Sequence, residues 1–203
     1  TRTELQIMRE AAGQMAALLG ERVLVVEPGS GASVKTRLLL AALDSPSAYV
    51  PVDISEAALH GAALELANDF PNLEVLPVVA DFTEWFSVPA PTRAARRAVV
   101  YFPGSTIGNF EPDEAGAFLG RLAALAGREG GLLVGVDLHK DASVLEPAYD
   151  DAEGVTAAFN RNLLVRINRE LRADFKPERF RHVASYDTRR RRIDMFLELS
   201  LIH

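Results

Sequence analysis

The sequence predicts an α/β protein, a parallel doubly wound sheet with an appended α+β element towards its C-terminal end. Three observations predict it. Short β-branched and apolar runs recur as RVLVV, AYVPV, LEVLPVV, RAVVYF and GGLLVGV, as expected of parallel strands buried on both faces. Segments with helical spacing lie between them, so strand and helix alternate as in βαβ units. From Lys140 the pattern changes to a long helical stretch and then two strand-like runs around a basic turn, which read as an antiparallel hairpin.

Each element follows in order. Between Thr1 and Gly20, the residues Leu5, Met8, Ala12, Met15 and Leu19 recur at spacings of three and four, one apolar stripe on a helix that Gly20 stops. Val23 to Val26 is a strand running into a glycine-rich turn, and helical spacing resumes at Val34. AYVPVDIS is a strand ending at Asp53, with Ser55 as N-cap of a helix reaching Asn68. LEVLPVVADF is a third strand, closing at Asp81 and Phe82. A proline-rich link from Ser87 to Thr92 leads to a fourth, RAVVYFPGS. EPDEAGAFLGRLAALAG opens on Pro112 among acids and ends on a glycine, as a capped helix does. GGLLVGVDL is a fifth strand. The remainder divides into the helical stretch VLEPAYDDAEGVTAAFNRNLLVRINREL and the hairpin FRHVASYDTRRRRIDMFLELSLIH. One domain is therefore expected over 1–140 and a second element over 141–203.

Composition removes several function classes. The 203 residues are 48% hydrophobic and 25% charged, a globular balance that excludes disordered and fibrous chains. The formal charge of −6 argues against a nucleic-acid surface, which needs clustered Lys and Arg. The Arg189 to Arg192 run falls in the hairpin turn and reads as a solvated tip. The longest apolar runs are strand-length, short of the roughly 20 residues of a membrane helix. There are no cysteines, so disulfides and thiolate chemistry are out. His60, His139, His182 and His203 are scattered, with no metal-ligand spacing. No signal peptide is visible and the chain opens on Thr1, so a cytoplasmic protein supplied without its native start is expected, as a monomer.

The chemistry centres on the first turn, where Glu27, Gly29 and Gly31 join strand to helix. In open parallel sheets, ligands bind beyond the carboxyl ends of strands, where strand order reverses. Glycines let backbone approach a ligand, and a helix N-terminus favours an anionic group; a turn kept for packing alone accounts for the same glycines. A dinucleotide fingerprint would need a third glycine where Val34 stands, and the phosphate-loop pattern is absent. Lys35, in the first turn of the helix, is placed to meet a cofactor carboxylate, or is simply solvated. Asp53 is placed to accept both hydroxyls of a ribose, helix capping being the other use of an acid there. Asp81 and Phe82 suit an adenine, by hydrogen bonding and apolar contact. The set describes an adenosine along the sheet edge with no phosphate device, which fits S-adenosylmethionine better than a nucleotide.

Two further residues suit a substrate. In FPGSTIGNF, Asn109 offers a donor and an acceptor without charge, suited to a zwitterionic amine; stabilising the turn before the next helix accounts for it equally. Tyr149, followed by Asp150 and Asp151, opens the long helical stretch, where its hydroxyl reaches a carboxylate or its ring packs.

Together, VEPGSGASVKTRLLL, YVPVDIS, the ADF triplet, FPGSTIGNF and GVDLHKDASVLEPAYDDAEGVTAAFNRNLLVRINREL resemble the histidine-specific S-adenosylmethionine-dependent methyltransferases of ergothioneine biosynthesis. The resemblance covers almost the whole chain. It implies a Rossmann-like class I methyltransferase sheet and Nα-trimethylation of L-histidine to hercynine, with S-adenosylhomocysteine as product. It carries cofactor contacts to Gly29 with Gly31 in the same turn, to Lys35 (methionine carboxylate), Asp53 (ribose), and Asp81 with Phe82 (adenine). It carries contacts to the substrate's amino-acid end to Asn109 and Tyr149, with the Gly104 loop beside them. Pro28 departs from the more usual apolar residue and leaves the glycines intact. Family members read the imidazole with a tyrosine preceding this chain's first residue and a Glu and a Ser beyond its last, and complete the sheet with further C-terminal strands. The chain is thus expected to be the central part of such an enzyme.

The mechanism so implied is in-line displacement by a neutral α-amine, a group that titrates at about pH 8 in model peptides. Positioning can supply roughly 7–11 kcal/mol, so Asn109 and Tyr149 are aiming devices rather than acid–base catalysts, and no metal is required. A sister methyltransferase acting on another amino acid, such as a tryptophan derivative, would share these residues. A non-catalytic adenosine-binding module would need neither Asn109 nor Tyr149. A dehydrogenase ranks last, for want of the third glycine.

Overall fold

The structure, a computed structural model, describes residues 2–31 and 33–199; His203 lies outside them. The chain separates into two compact units, Thr1–Asp137 and Leu138–His203.

The first unit is built on a parallel sheet. Its strands are β1 (Val23–Pro28), β2 (Ala48–Asp53), β3 (Glu74–Val75), β4 (Val78–Val79), β5 (Arg97–Phe102) and β6 (Gly131–Val134). They lie in the order β3-β2-β1-β5-β6, with β4 also paired to β2. The third expected strand is thus two short ones. Pro77 between them has no N–H for the ladder, while Leu76 N donates to Tyr49 O at 2.9 Å and Ala80 N to Asp53 O at 3.1 Å. β1 is buried along its whole length. Successive side chains point to opposite faces. Val23, Val25, Tyr49, Val99 and Tyr101 meet one helical layer, whereas Leu24, Val26, Val50, Val52 and Val100 meet other apolar groups. Burial on both sides explains why the sequence shows no polar alternation there.

Helices α1 (Arg2–Leu19), α2 (Val34–Ala42) and α3 (Glu56–Asp69) supply the first layer through Met8, Ala16, Leu19, Leu39, Leu40 and Leu66. Helix α4 (Pro112–Ala126) covers the other face, with Phe118 and Leu122 against Val100 and Phe102. Its start is a capping box, Glu111 N donating to Glu114 Oε2 at 3.0 Å, with Pro112 at the first helical position. The Ser55 expectation is corrected in part. Ser55 holds the N-cap position of α3, but its side chain makes no capping bond. Asp53 Oδ1 instead accepts Ser55 N at 3.0 Å, the local turn that an aspartate forms with the backbone two residues on.

In the second unit the long helical stretch is interrupted. Helix α5 (Ala142–Tyr149) ends before Asp150, and α6 (Val155–Leu171) begins after Gly154 at φ 69°. Asp151 caps α6, its carboxylate accepting Val155 N at 2.9 Å and Thr156 N at 2.8 Å. Tyr149 therefore closes a helix rather than opening one. Strands β7 (Phe180–Asp187) and β8 (Arg192–Leu199) form the antiparallel hairpin. Asp187 Oδ1 accepts Arg189 N and Arg190 N at 2.8 and 3.1 Å, and Arg192 already belongs to β8, so the basic run covers turn and strand start. No described helix is long and apolar enough to cross a membrane.

Candidate cofactor and substrate site

Strand order reverses at β1. The chain moves from β1 outward to β2, then returns to β5 on the other side. The loops after β1 and β5 therefore diverge and leave a crevice between them, the place where such sheets bind ligands.

The turn after β1 keeps both expected glycines at left-handed φ, Gly29 at 69° and Gly31 at 51°, a conformation that a side chain disfavours. Gly29 N and Ser30 N donate to Val52 O at 2.7 and 3.2 Å, tying the turn to β2. Gly31 N donates to Asp53 Oδ2 at 3.2 Å. A β-carbon on Gly29 would lie 3.1 Å from Phe82 Cε1, so the ring rests against bare backbone. The structure thus brings Gly29, Gly31, Asp53 and Phe82 together. Phe82 also borders Phe102 and Phe118, with ring centroids 6.0 and 5.9 Å apart. Asp81 behaves differently. It is exposed, and its Oδ1 accepts both Thr83 Oγ1 at 2.6 Å and Thr83 N at 2.8 Å. These two bonds, the side-chain one foremost, hold its carboxyl below the usual range.

Beneath the turn lies a buried carboxylate. Glu27 Oε2 accepts Thr36 Oγ1 at 2.6 Å and Tyr49 OH at 2.5 Å, and Tyr49 OH lies 3.1 Å from Ser33 Oγ. Burial pushes the Glu27 carboxyl up to about 7, against the pull of Thr36, Tyr49 and Lys35. The network ties the end of β1 to the start of α2 and to β2.

Lys35 stands in the first turn of α2, as expected, but is paired rather than simply solvated. Its Nζ lies 2.9 Å from Glu4 Oε2, a carboxylate from the first turn of α1. The other oxygen of Glu4 accepts Gly104 N at 2.6 Å, and a β-carbon on Gly104 would lie 3.1 Å from Lys35 Nζ. Lys35, from the helix that follows β1, and Gly104, from the loop after β5, therefore meet on one carboxylate. Sequence reasoning missed Glu4. An acid in a first helical turn reads as an ordinary dipole partner, and its contact with Gly104 spans 100 residues.

After Gly104 the chain makes one helical turn over Thr106–Asn109. Asn109 is exposed at its end, its amide without a hydrogen-bond partner among the described residues. Ser105, not Asn109, secures this loop, its Oγ accepting Asp137 N at 2.9 Å. In the second unit Tyr149 is 37% exposed. Its carbonyl accepts His182 Nε2 at 2.7 Å, and Asn160 Nδ2 donates to His182 Nδ1 at 2.9 Å and to Phe196 O at 3.2 Å. In this pairing Nε2 is the donor and Nδ1 the acceptor. Among the described residues, no three His, Asp or Glu side chains group as a metal site. A surface concavity of about 220 Å³, lined by Leu18, Glu21 and Arg96, lies at the amino ends of the strands, away from this edge.

Chemically, the edge offers what an adenosine-bearing amino acid needs. Asp53 has lone pairs left for hydroxyls, Phe82 and Gly29 present an apolar surface, and Lys35 supplies a cation for a carboxylate. No third glycine admits a pyrophosphate.

The chain is similar to known proteins in sequence and in fold. A sequence profile for histidine-specific, S-adenosylmethionine-dependent methyltransferases matches residues 1–201. Over 201 residues the chain is 43% identical to a histidine N-alpha-methyltransferase of Mycolicibacterium smegmatis, covering 97% of this chain and 61% of that protein. It is 29% identical over 174 residues to ergothioneine biosynthesis protein 1 of Neurospora crassa, covering 83% of this chain and 20% of that one. Among solved structures, a small RNA methyltransferase superposes with a TM-score of 0.51 at 19% identity, covering 69% of this chain and 17% of the other, a likeness of fold. The chain thus spans about three fifths of the length of its bacterial relative. It belongs to the histidine-specific, S-adenosylmethionine-dependent methyltransferase family.

Proposed function

We propose that this chain forms the cofactor-binding and methyl-transfer core of a histidine Nα-methyltransferase, carrying L-histidine through three methylations to hercynine in ergothioneine biosynthesis. The observation that carries the reading is the convergence of Gly29, Gly31, Asp53, Phe82 and the Lys35 ammonium at the reversal of strand order, in a chain of this family.

Bound there, S-adenosylmethionine supplies an electrophilic methyl group on a sulfonium centre. Asp53 accepts the ribose hydroxyls with the lone pairs that Gly31 N and Ser55 N leave open. Gly29 and Phe82 carry the adenine, and Asp81 accepts from its amino group. Lys35 meets the methionine carboxylate. The free amide of Asn109 holds the substrate amine, beside the Gly104 loop, and the Tyr149 hydroxyl reads the substrate carboxylate. None of these groups is a strong base, and none is needed. The attacking α-amine, a group that titrates at about 8 in model peptides, must be neutral to attack, and its orientation supplies most of the acceleration.

Mass spectrometry of reactions containing S-adenosylmethionine and a panel of free amino acids tests the reading. Histidine gaining up to three methyl groups, and no other amino acid doing so, is expected. Asp53→Ala should weaken cofactor binding by about tenfold or more, equivalent to ~1.4 kcal/mol, whereas Tyr149→Phe should raise the histidine KM and leave cofactor affinity unchanged. Transfer to a different amino acid would move the assignment to a sister enzyme. Cofactor binding without transfer to any amino acid would mean that groups outside these 203 residues hold the substrate, to be tested on a longer chain.

A further inference from the structure

The Glu4 carboxylate has no role in the proposed function, yet it joins the two sides of the strand-order reversal. One oxygen lies 2.9 Å from Lys35 Nζ and the other 2.6 Å from Gly104 N. Helix α1 thus reaches across the point where the loops after β1 and β5 part and closes it with an ion pair. The pair is neither sealed nor fully solvated, its side chains being 24% and 27% exposed. Both partners keep hydrogen-bonding capacity. A lysine ammonium has three donors and an ionised carboxylate has about four acceptor sites; Glu4 commits one oxygen to each of its two partners.

An adjacent cation and anion, each with capacity left, complement a group that itself carries both charges on one carbon. The methionine end of the cofactor is such a group. Lys35 alone would attract its carboxylate while repelling its ammonium, and the sulfonium adds a further positive charge nearby. An anion beside Lys35 removes that conflict by alternating the charges. We propose that Glu4 is a binding residue for the α-ammonium of the cofactor's methionine end, acting as the anionic half of a Lys35–Glu4 receptor for the zwitterion. This rests on the cofactor reading above. It also gives α1 a function beyond packing, since the helix delivers the anion while Met8, Ala16 and Leu19 anchor it in the core.

Calorimetric titration of the whole chain tests the assignment without any turnover. Three ligands are compared: S-adenosylhomocysteine; its desamino analogue, which keeps the carboxylate and lacks the ammonium; and methylthioadenosine, which lacks both. The wild-type protein should bind S-adenosylhomocysteine at least about tenfold more tightly than the desamino analogue. Glu4→Gln, nearly isosteric and neutral, should abolish that preference by weakening S-adenosylhomocysteine alone. Equal loss for both ligands would reduce Glu4 to a support for Lys35 and overturn the proposal. Tighter binding of S-adenosylhomocysteine by Glu4→Gln would overturn it too, since Glu4 would then be an occupant competing for the carboxylate seat. The wild-type preference is read independently of the variant's folding, and equal wild-type affinities would refute the assignment. If the wild type binds none of the three, the cofactor reading itself fails, and the Glu4 role with it.

Discussion

Strands β1 and β7 are both rich in apolar residues, but they live in different environments. Every residue of β1 is buried, and Val23, Val25 and Val26 have no exposed surface at all. In β7 only His182 is buried, and β8 has no buried residue. The same contrast runs through the two units. The first is held by apolar layers on both faces of a sheet. Among the described residues of the second, the buried side chains are Ala157, Leu164 and His182, and directional contacts do more of the holding. Asp151 caps α6, Asn168 exchanges hydrogen bonds of 2.8 Å with Phe175 N and O, and His182 joins Tyr149 to Asn160. A rigid apolar platform thus carries the turn after β1, while Tyr149 depends on a buried polar link.

The largest expected effect lies in the platform. Phe118 is wholly buried among Phe82, Phe102 and Phe110, so Phe118→Ala should cost about 3–5 kcal/mol in urea unfolding. Leu164→Ala in the second unit should cost about 2 kcal/mol, the lower end for such truncations. Equal losses would break the contrast between the units.

Glu27 tests whether the platform tolerates a buried carboxylate by keeping it protonated. Its carboxyl rises from an ordinary 4.5 to about 7 in the folded chain. The folded state then holds the proton more tightly than the unfolded one, so this contribution is full below pH 4.5 and lost as pH rises through 7. The difference is on the order of 3 kcal/mol at 1.36 kcal/mol per pKa unit. Unfolding measured at pH 5 and pH 8 should show that loss in the wild type and a flatter profile in Glu27→Gln, whose amide oxygen still accepts from Thr36 and Tyr49. An unchanged profile would mean that Glu27 is ionised in the fold.

The smallest effect sharpens the second unit. His182→Leu removes the donor to Tyr149 O and the acceptor for Asn160 Nδ2, at about 1–2 kcal/mol. Hydrogen exchange should quicken at the end of α5, where Asp150 N donates to Glu146 O, and leave β1 protected. Accelerated exchange in β1 as well would show that the two units do not differ in this way.

Much of this was legible from local pattern. The succession of strands and helices follows from periodicity, and Gly29, Gly31, Lys35 and Asp53 stand where strand ends and helix starts put them. Helix α4 announces both of its ends, in Glu111, Pro112 and Gly127. Where local reading failed, a competing local interaction had won. Pro77 cut one strand into two, Asp53 accepted Ser55 N while the Ser55 side chain made no cap, and Asp151 with Gly154 started a new helix just after Tyr149.

The amino-acid sequence by itself therefore determined the α/β alternation, the glycine turn and the absence of a phosphate device, because spacing, backbone freedom and side-chain chemistry act within a few residues. Only the tertiary structure decided that Glu27 lies buried between Thr36 and Tyr49, that Phe82 rests on Gly29, and that Glu4 bridges Lys35 and Gly104. Those contacts join residues that the chain holds far apart. No local period encodes them, and they exist only once the sheet order has brought the loop ends to one edge.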